Sequence, residues 1–172
     1  TFVRGTSVSL TASKGVGTFS NPLEIDSSYQ ANGLVNVQAS GDHVHLKEIA
    51  GDLRIGRVST GSAYDLALST VSGSMLAGNA DEKADLQGRN IDLVVAGGSI
   101  GSNSNYLDFY GAGQGQKHNL ARIVDSVPQT GRLYATANAD IYLQQVNAAA
   151  NILKVESTAG DVSLKVVDTV LV

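Results

Sequence analysis

Five stretches of this chain are written twice, in the same order. Ser20–Asp26 reads SNPLEID, and Ser104–Tyr110 reads SNYLDFY, 84 positions later. Just upstream, GVG at Gly15–Gly17 returns as SIG at Ser99–Gly101, at the same offset. VHLKEI (Val44–Ile49) returns as IYLQQV (Ile141–Val146) at an offset of 97, and Ser59-Thr60 returns as Ser157-Thr158 at 98. RIGRVST (Arg54–Thr60) thereby aligns with LKVEST (Leu153–Thr158), and YDLALS (Tyr64–Ser69) with GDVSLK (Gly160–Lys165). The chain carries about one and a half copies of a unit of roughly 85 to 98 residues, a pattern of repeat architectures. The growth of the offset from 84 to 98 places a net insertion of 14 residues after Tyr110.

Inside the repeat a shorter beat runs. Apolar and polar residues alternate in SVSLTAS, LVNVQA, HVHLKE, DLRIGRV, YDLALS, NIDLVVA, RLYATA, DIYLQQV, ILKVES and DVSLKVV. Each stretch is short and is bounded by Gly, Asp, Asn or Ser, as for strands with one buried face. Successive strands often start about ten residues apart, so about two strands fill a coil of ~20 residues. A meander sandwich also yields short strands. Recurrence of blocks in fixed order favours a solenoid, with inward Val, Leu and Ile forming ladders. The expectation is therefore an all-β, single-domain parallel β-helix (β-solenoid) over residues 1–172, of roughly eight coils. Its expected hand is right, from the general preference of parallel crossovers. The pairs Gly41-Asp42, Gly51-Asp52 and Gly160-Asp161, with Ala139-Asp140 beside them, read as structural corners. Glycine permits the corner conformation and Asp can bond the backbone two residues on.

Composition narrows the function classes. Twelve basic against 16 acidic residues leave a net charge of −4, which argues against nucleic acid as a partner. Charged residues are 16%, below the roughly 25% of ordinary domains, while Gly reaches 19 residues and Pro only 2. With no Cys, disulfide and thiolate chemistry are excluded. No stretch approaches the about 18 apolar residues of a membrane span. Thr1 is neither an initiator Met nor the start of a signal peptide, and VSLKVVDTVLV at the other end still alternates. The chain is expected to be a processed piece of something longer.

The repeated phrases Gly15–Asp26, Gly41–Val58, Gly73–Ala96, Gly98–Tyr110 and Ala139–Gln144 resemble repeats of large bacterial exoproteins of the filamentous-haemagglutinin-like kind. The similarity covers most of the chain except Gly111–Gly131. The resemblance implies a right-handed parallel β-helix, secretion, and adhesive or fibrous roles. It brings no catalytic residues to carry over.

Other groups carry candidate chemistry. His43 and His45 share one strand face opposite Val44 and Leu46, and two imidazoles can hold a transition-metal ion. No third ligand accompanies them, and two solvent-facing polar residues are the plainer reading. Asp81, Glu82 and Asp85 gather in an oxygen-rich loop of the kind that suits Ca²⁺, yet neither the EF-hand pattern nor the calcium β-roll nonapeptide is present. Asp42, Asp52, Asp140 and Asp161 suggest paired carboxylates for cutting sugars, but corner chemistry explains all four. GAGQGQKHN (Gly111–Asn119) fails the phosphate-loop pattern.

Within the insert, Leu120, Ile123, Val124 and Val127 fall at i, i+3, i+4 and i+7, with Asn119 as a cap and Pro128 as a stop. A short amphipathic helix or an ordered loop is expected there. Tyr29, Tyr64, Tyr106, Tyr110, Tyr134 and Tyr142 read as outward aromatics, and Phe109, Tyr110, His118 and Arg122 as an interaction patch beside or within the insert. The expected function is structural and non-enzymatic, without cofactor: a segment of an extracellular or cell-surface fibre, stalk or adhesin. It would associate with itself or with neighbouring repeats. A glycan-binding module, its site formed by Tyr residues and the insert, and a polysaccharide-degrading β-helix enzyme are the rivals.

Overall fold

The computed structural model describes residues 2–30, 33–81, 83–111, 119–120, 123–124, 131–146 and 150–167. In chain order its strands are β1 (Val3–Arg4), β2 (Val8–Ala12), β3 (Leu23–Asp26), β4 (Val35–Ala39), β5 (Val44–Glu48), β6 (Leu53–Ser59), β7 (Leu66–Thr70), β8 (Met75–Ala77) and β9 (Leu86–Gly88). They continue as β10 (Ile91–Val95), β11 (Leu107–Gly111), β12 (Asn119–Leu120), β13 (Ile123–Val124), β14 (Leu133–Ala137), β15 (Ile141–Val146), β16 (Ile152–Ser157) and β17 (Val162–Val167). Among the described residues there is no helix, hence none that is long and apolar enough to cross a membrane.

The strands stack into two parallel sheets. One runs β1-β3-β5-β7-β10-β14-β16 and the other β2-β4-β6-β9-β11-β15-β17, with β8 beside β6. A chain that alternates between two parallel sheets in this way is a β-solenoid. Seven stacked strands in the first sheet make about six turns rather than the expected eight. The difference is arithmetic of the coil: Val44 pairs with Leu66, Leu66 with Ile91 and Ile91 with Leu133. A turn thus consumes 22 or 25 residues, and 42 where it carries the insert. Loops between strands use the residues that the ten-residue beat assigned to further coils.

Alternation puts the aliphatic side chains inside. Val44, Leu66, Ile91 and Leu133 form one ladder, and Leu46, Leu68, Leu93 and Ala135 the next. In the second sheet Val37, Val58, Leu86 and Phe109 stack likewise, and all twelve are buried. At about 25 cal/mol per Å² of apolar surface, such ladders are the main source of stability. β6 serves two lines of stacking. Leu53–Ile55 pairs with β8, then the register skips Gly56 and Val58–Ser59 pairs with β9. A Cβ at Gly56 would lie 2.5 Å from Asn36 Oδ1, so glycine lets the Asn36 side chain lie over this bulge.

The two copies of the repeat lie in different sheets. β3 and β5 belong to the first, while their counterparts β11 and β15 belong to the second. The helical half of the insert expectation is corrected at its described residues. Asn119–Leu120 and Ile123–Val124 pair antiparallel as a small hairpin. Four apolar positions are too few to distinguish the two periods, and β-branched Ile123 and Val124 prefer extended backbone. His118, Arg122, Val127 and Pro128 lie outside the described residues.

Candidate functional site

The corner aspartates join one coil to the next. The Asp52 carboxylate accepts the Ser74 N–H at 2.7 Å, Asp140 the Asp161 N–H at 2.8 Å, Asp65 the Asn90 N–H at 3.3 Å and Asp85 the Asp108 N–H at 3.2 Å. The acceptor was expected to serve the backbone two residues on. It serves instead the corner stacked above, whose N–H would otherwise lack a strand partner. Asp42 differs, accepting the N–H of His43 next to it at 2.8 Å. Gly51 sits at φ +68°, and a Cβ on Gly41 would lie 2.5 Å from Ser13 O. A Cβ on Gly160 would meet Asp140 Oδ1, so small residues hold all three corners tight.

His43 and His45 do not both face solvent. His45 is only 6% exposed, with Phe19 edge-on at 6.2 Å and His43 at 6.0 Å between ring centroids. Burial, reinforced by His43, lowers its pKa to about 4, so the ring is neutral near pH 7. His43 accepts the Asp65 N–H at Nδ1, 2.9 Å away. These rings fill a corner, and among the described residues no three His, Cys, Asp or Glu side chains gather to hold a metal ion.

Of the suspected calcium loop, Asp81 is exposed and accepts the Lys83 N–H at 3.0 Å. Asp85 is buried against the body, where desolvation, then Asp108 and Asp81, raise its pKa to about 7. Glu82 lies outside the described residues. Phe109, expected in an exposed patch, is 1% exposed and part of the core ladder, because strand alternation turns it inward. Tyr110 beside it is half-buried and faces the other way.

What the sequence reading did not single out is a groove on the outer face of the second sheet. Its first section, about 400 Å³, is floored by Ser9 and Thr11 of β2, Asn36 and Gln38 of β4, and Arg57 and Ser59 of β6. A second section, about 150 Å³, shares Asn36 and Arg57 and is walled by Asn79, Asp81 and Lys83 from the loop between β8 and β9. A third, about 200 Å³, shares Asp81 and continues past Asn105 and Tyr106 to Gln144 of β15 and Lys165 of β17. Its walls are fixed by hydrogen bonds. Asn79 Nδ2 donates to Gly56 O at 2.8 Å, Asn105 Nδ2 to Asn79 O at 2.9 Å, and Arg57 to Gln87 Oε1 at 3.0 Å. The polar positions of alternating strands were visible in the sequence; the loops that wall them were not assigned to this face.

Comparison with protein-family models, with curated proteins and with solved structures finds no match.

Proposed function

We propose that this chain is a structural segment of an extracellular fibre, stalk or adhesin. The observation that carries the reading is the unbroken stacking of both sheets. Parallel pairing links β1 to β16 and β2 to β17, with aliphatic ladders inside and aspartate staples at corners. Such a body is stiff along its axis, because each coil contacts the next through the parallel ladders of both sheets. The outermost strands support extension. β17 presents Val162, Leu164 and Val166 at 48%, 38% and 52% exposure, the alternating apolar set that a further coil would cover. Neighbouring repeats of the same chain or self-association would supply that coil. The resemblance of its phrases to filamentous-haemagglutinin-like exoproteins supports a bacterial cell-surface setting. The reading assigns no catalytic step and no cofactor.

Electron microscopy of the native material tests it. A rod with an axial repeat of about 4.8 Å is expected, with surface labelling on intact cells. Discrete globular particles without that repeat would overturn it.

A further inference from the structure

We propose that the groove along the outer face of the second sheet binds an extended polysaccharide, laid parallel to the solenoid axis. This goes beyond the structural role and holds whether or not the chain builds a fibre.

The groove's shape calls for a linear ligand. Its three sections are neighbours that share lining residues, Asn36 and Arg57 and then Asp81, and they follow one another from β2 to β17. That sheet stacks seven strands along this path. At about 4.8 Å per strand the groove is on the order of 30 Å long, room for an oligosaccharide of several rings and far more than a single sugar.

Its chemistry points to hydroxyl groups. The floor of the first section consists of hydroxyl and amide side chains, which offer donors and acceptors in alternation. Among the described residues, Ser9, Thr11, Asn36 and Gln38 engage no side-chain partner, so these groups face the groove uncommitted. Arg57 is held by Gln87 and Asn105 by Ala77 O and Asn79 O, which leaves the frame rigid before any ligand arrives. At the far end Tyr106 lies edge-on to Tyr142 at 5.6 Å, with Lys165 Nζ 3.6 Å from its ring centre. Lys165 is exposed, so a sugar ring can take the ammonium's place on the aromatic face.

Charge argues against the other extended polymers. Arg57, Lys83 and Lys165 are separated by exposed Asp81 and by uncharged Asn36, Asn79, Asn105 and Tyr106, so no single sign runs along the groove. A nucleic acid or a sulfated glycan needs a sustained basic stripe. An amphipathic peptide needs an apolar floor, and here outward positions are polar. A neutral or mixed-charge polysaccharide fits both features.

The test uses the full chain on a printed array of neutral, acidic and sulfated oligosaccharides, followed by calorimetric titration of the best neutral hexasaccharide and its monosaccharide. The hexasaccharide is expected to saturate at one site per chain and the monosaccharide to bind at least 100-fold more weakly. Gln38→Ala and Tyr106→Ala lie at opposite ends of the groove. Each should weaken the hexasaccharide at least tenfold while circular dichroism shows the chain still folded at the titration temperature, whereas Tyr29→Ala, remote from the groove, should not. Absence of saturable binding to any array member would overturn the proposal. So would binding confined to sulfated chains and abolished by salt, or binding indifferent to both groove variants.

Discussion

The turn at Val16–Leu23 and the turn at Ile100–Leu107 are the same backbone dressed with different side chains. In the first, Val16 N–H donates to His43 O at 2.9 Å and His45 N–H to Val16 O at 2.7 Å. In the second, Ile100 N–H donates to Asp140 O at 2.9 Å and Tyr142 N–H to Ile100 O at 2.7 Å. Thr18 and Asn21 exchange backbone hydrogen bonds, as do Ser102 and Asn105. Gly17 stands at φ +64° and Gly101 at +66°. Leu23 pairs with Leu46, and Leu107 with Leu143. Outside this frame the copies part. Glu24 and Lys47 form an ion pair at 3.0 Å, where the second copy has Asp108 and Gln144 beside the groove. Phe19 covers His45, whereas Asn103 leaves Tyr106 and Tyr142 to shape an opening. The copies even occupy different sheets. The repeat therefore specifies a turn and an inward ladder, and leaves the outer face free to differ.

The severest way to break this equivalence is to hollow its core. Ile25 and Phe109 are matched positions and fully buried. Phe109→Ala should cost about 3–5 kcal/mol and Ile25→Ala about 2–5 kcal/mol, read from thermal or denaturant unfolding. A negligible loss at either would show that its ladder is not a shared core. Next come the turn glycines. A Cβ at Gly17 would lie 2.4 Å from His45 O and one at Gly101 2.2 Å from Tyr142 O, both at positive φ. Gly17→Val and Gly101→Val should each destabilise by about 3 kcal/mol. Strongly unequal losses would mean that the turns are alike in geometry and unlike in tolerance.

Acid separates the copies more finely. His45 of the first has its pKa lowered from 6.5 to about 4, chiefly by burial. The unfolded chain takes up this proton as pH falls from 6.5 to 4 and the folded chain does not, so stability drops across that window. Asp85, which accepts the Asp108 N–H of the second copy, is raised from 3.8 to about 7. Here the folded chain keeps a proton that the unfolded chain releases, so stability drops as pH rises from 3.8 to 7. Burial raises Glu48 in the same direction. Each slope is at most about 1.4 kcal/mol per pH unit, and the two oppose. Asp85→Asn should leave a melting temperature that rises more steeply from pH 4 to 6.5, and His45→Gln one that rises less or falls. Identical profiles for the two variants would refute the assignment. The smallest effect is expected at the outer ion pair. Glu24 and Lys47 are each more than a third exposed, so Lys47→Ala should change stability by less than about 1 kcal/mol. A larger loss would show that the outer face of the first copy does structural work after all.

Much of the fold was legible because the two signals used are local. Alternation at Val44–Glu48 or Leu66–Thr70 depends only on which side chains a strand turns inward. The ordered recurrence at 84 and 97 required coils that stack. Other features were not legible because they depend on what lies one coil away. Asp52 reads as a corner from its Gly-Asp setting, yet its partner Ser74 is 22 residues on. His45 reads as an outward polar residue until Phe19, from another turn, covers it. Phe109 reads as a surface aromatic beside the insert until the register of β11 against β9 places it over Leu86. The groove was the least visible of all, since its floor and walls come from strands and loops spread over most of the chain.

By itself, the sequence determined an all-β stack: period-two alternation decides which face of each strand is apolar, and burying that face in repeated units leaves few arrangements besides a solenoid. Tertiary structure alone decided how many residues each turn consumes, which sheet each copy joins, and which outward side chains become neighbours. The physical reason is the register between coils. It is set by packing and backbone hydrogen bonds across steps of some 22 residues, and no local stretch of sequence encodes that relation.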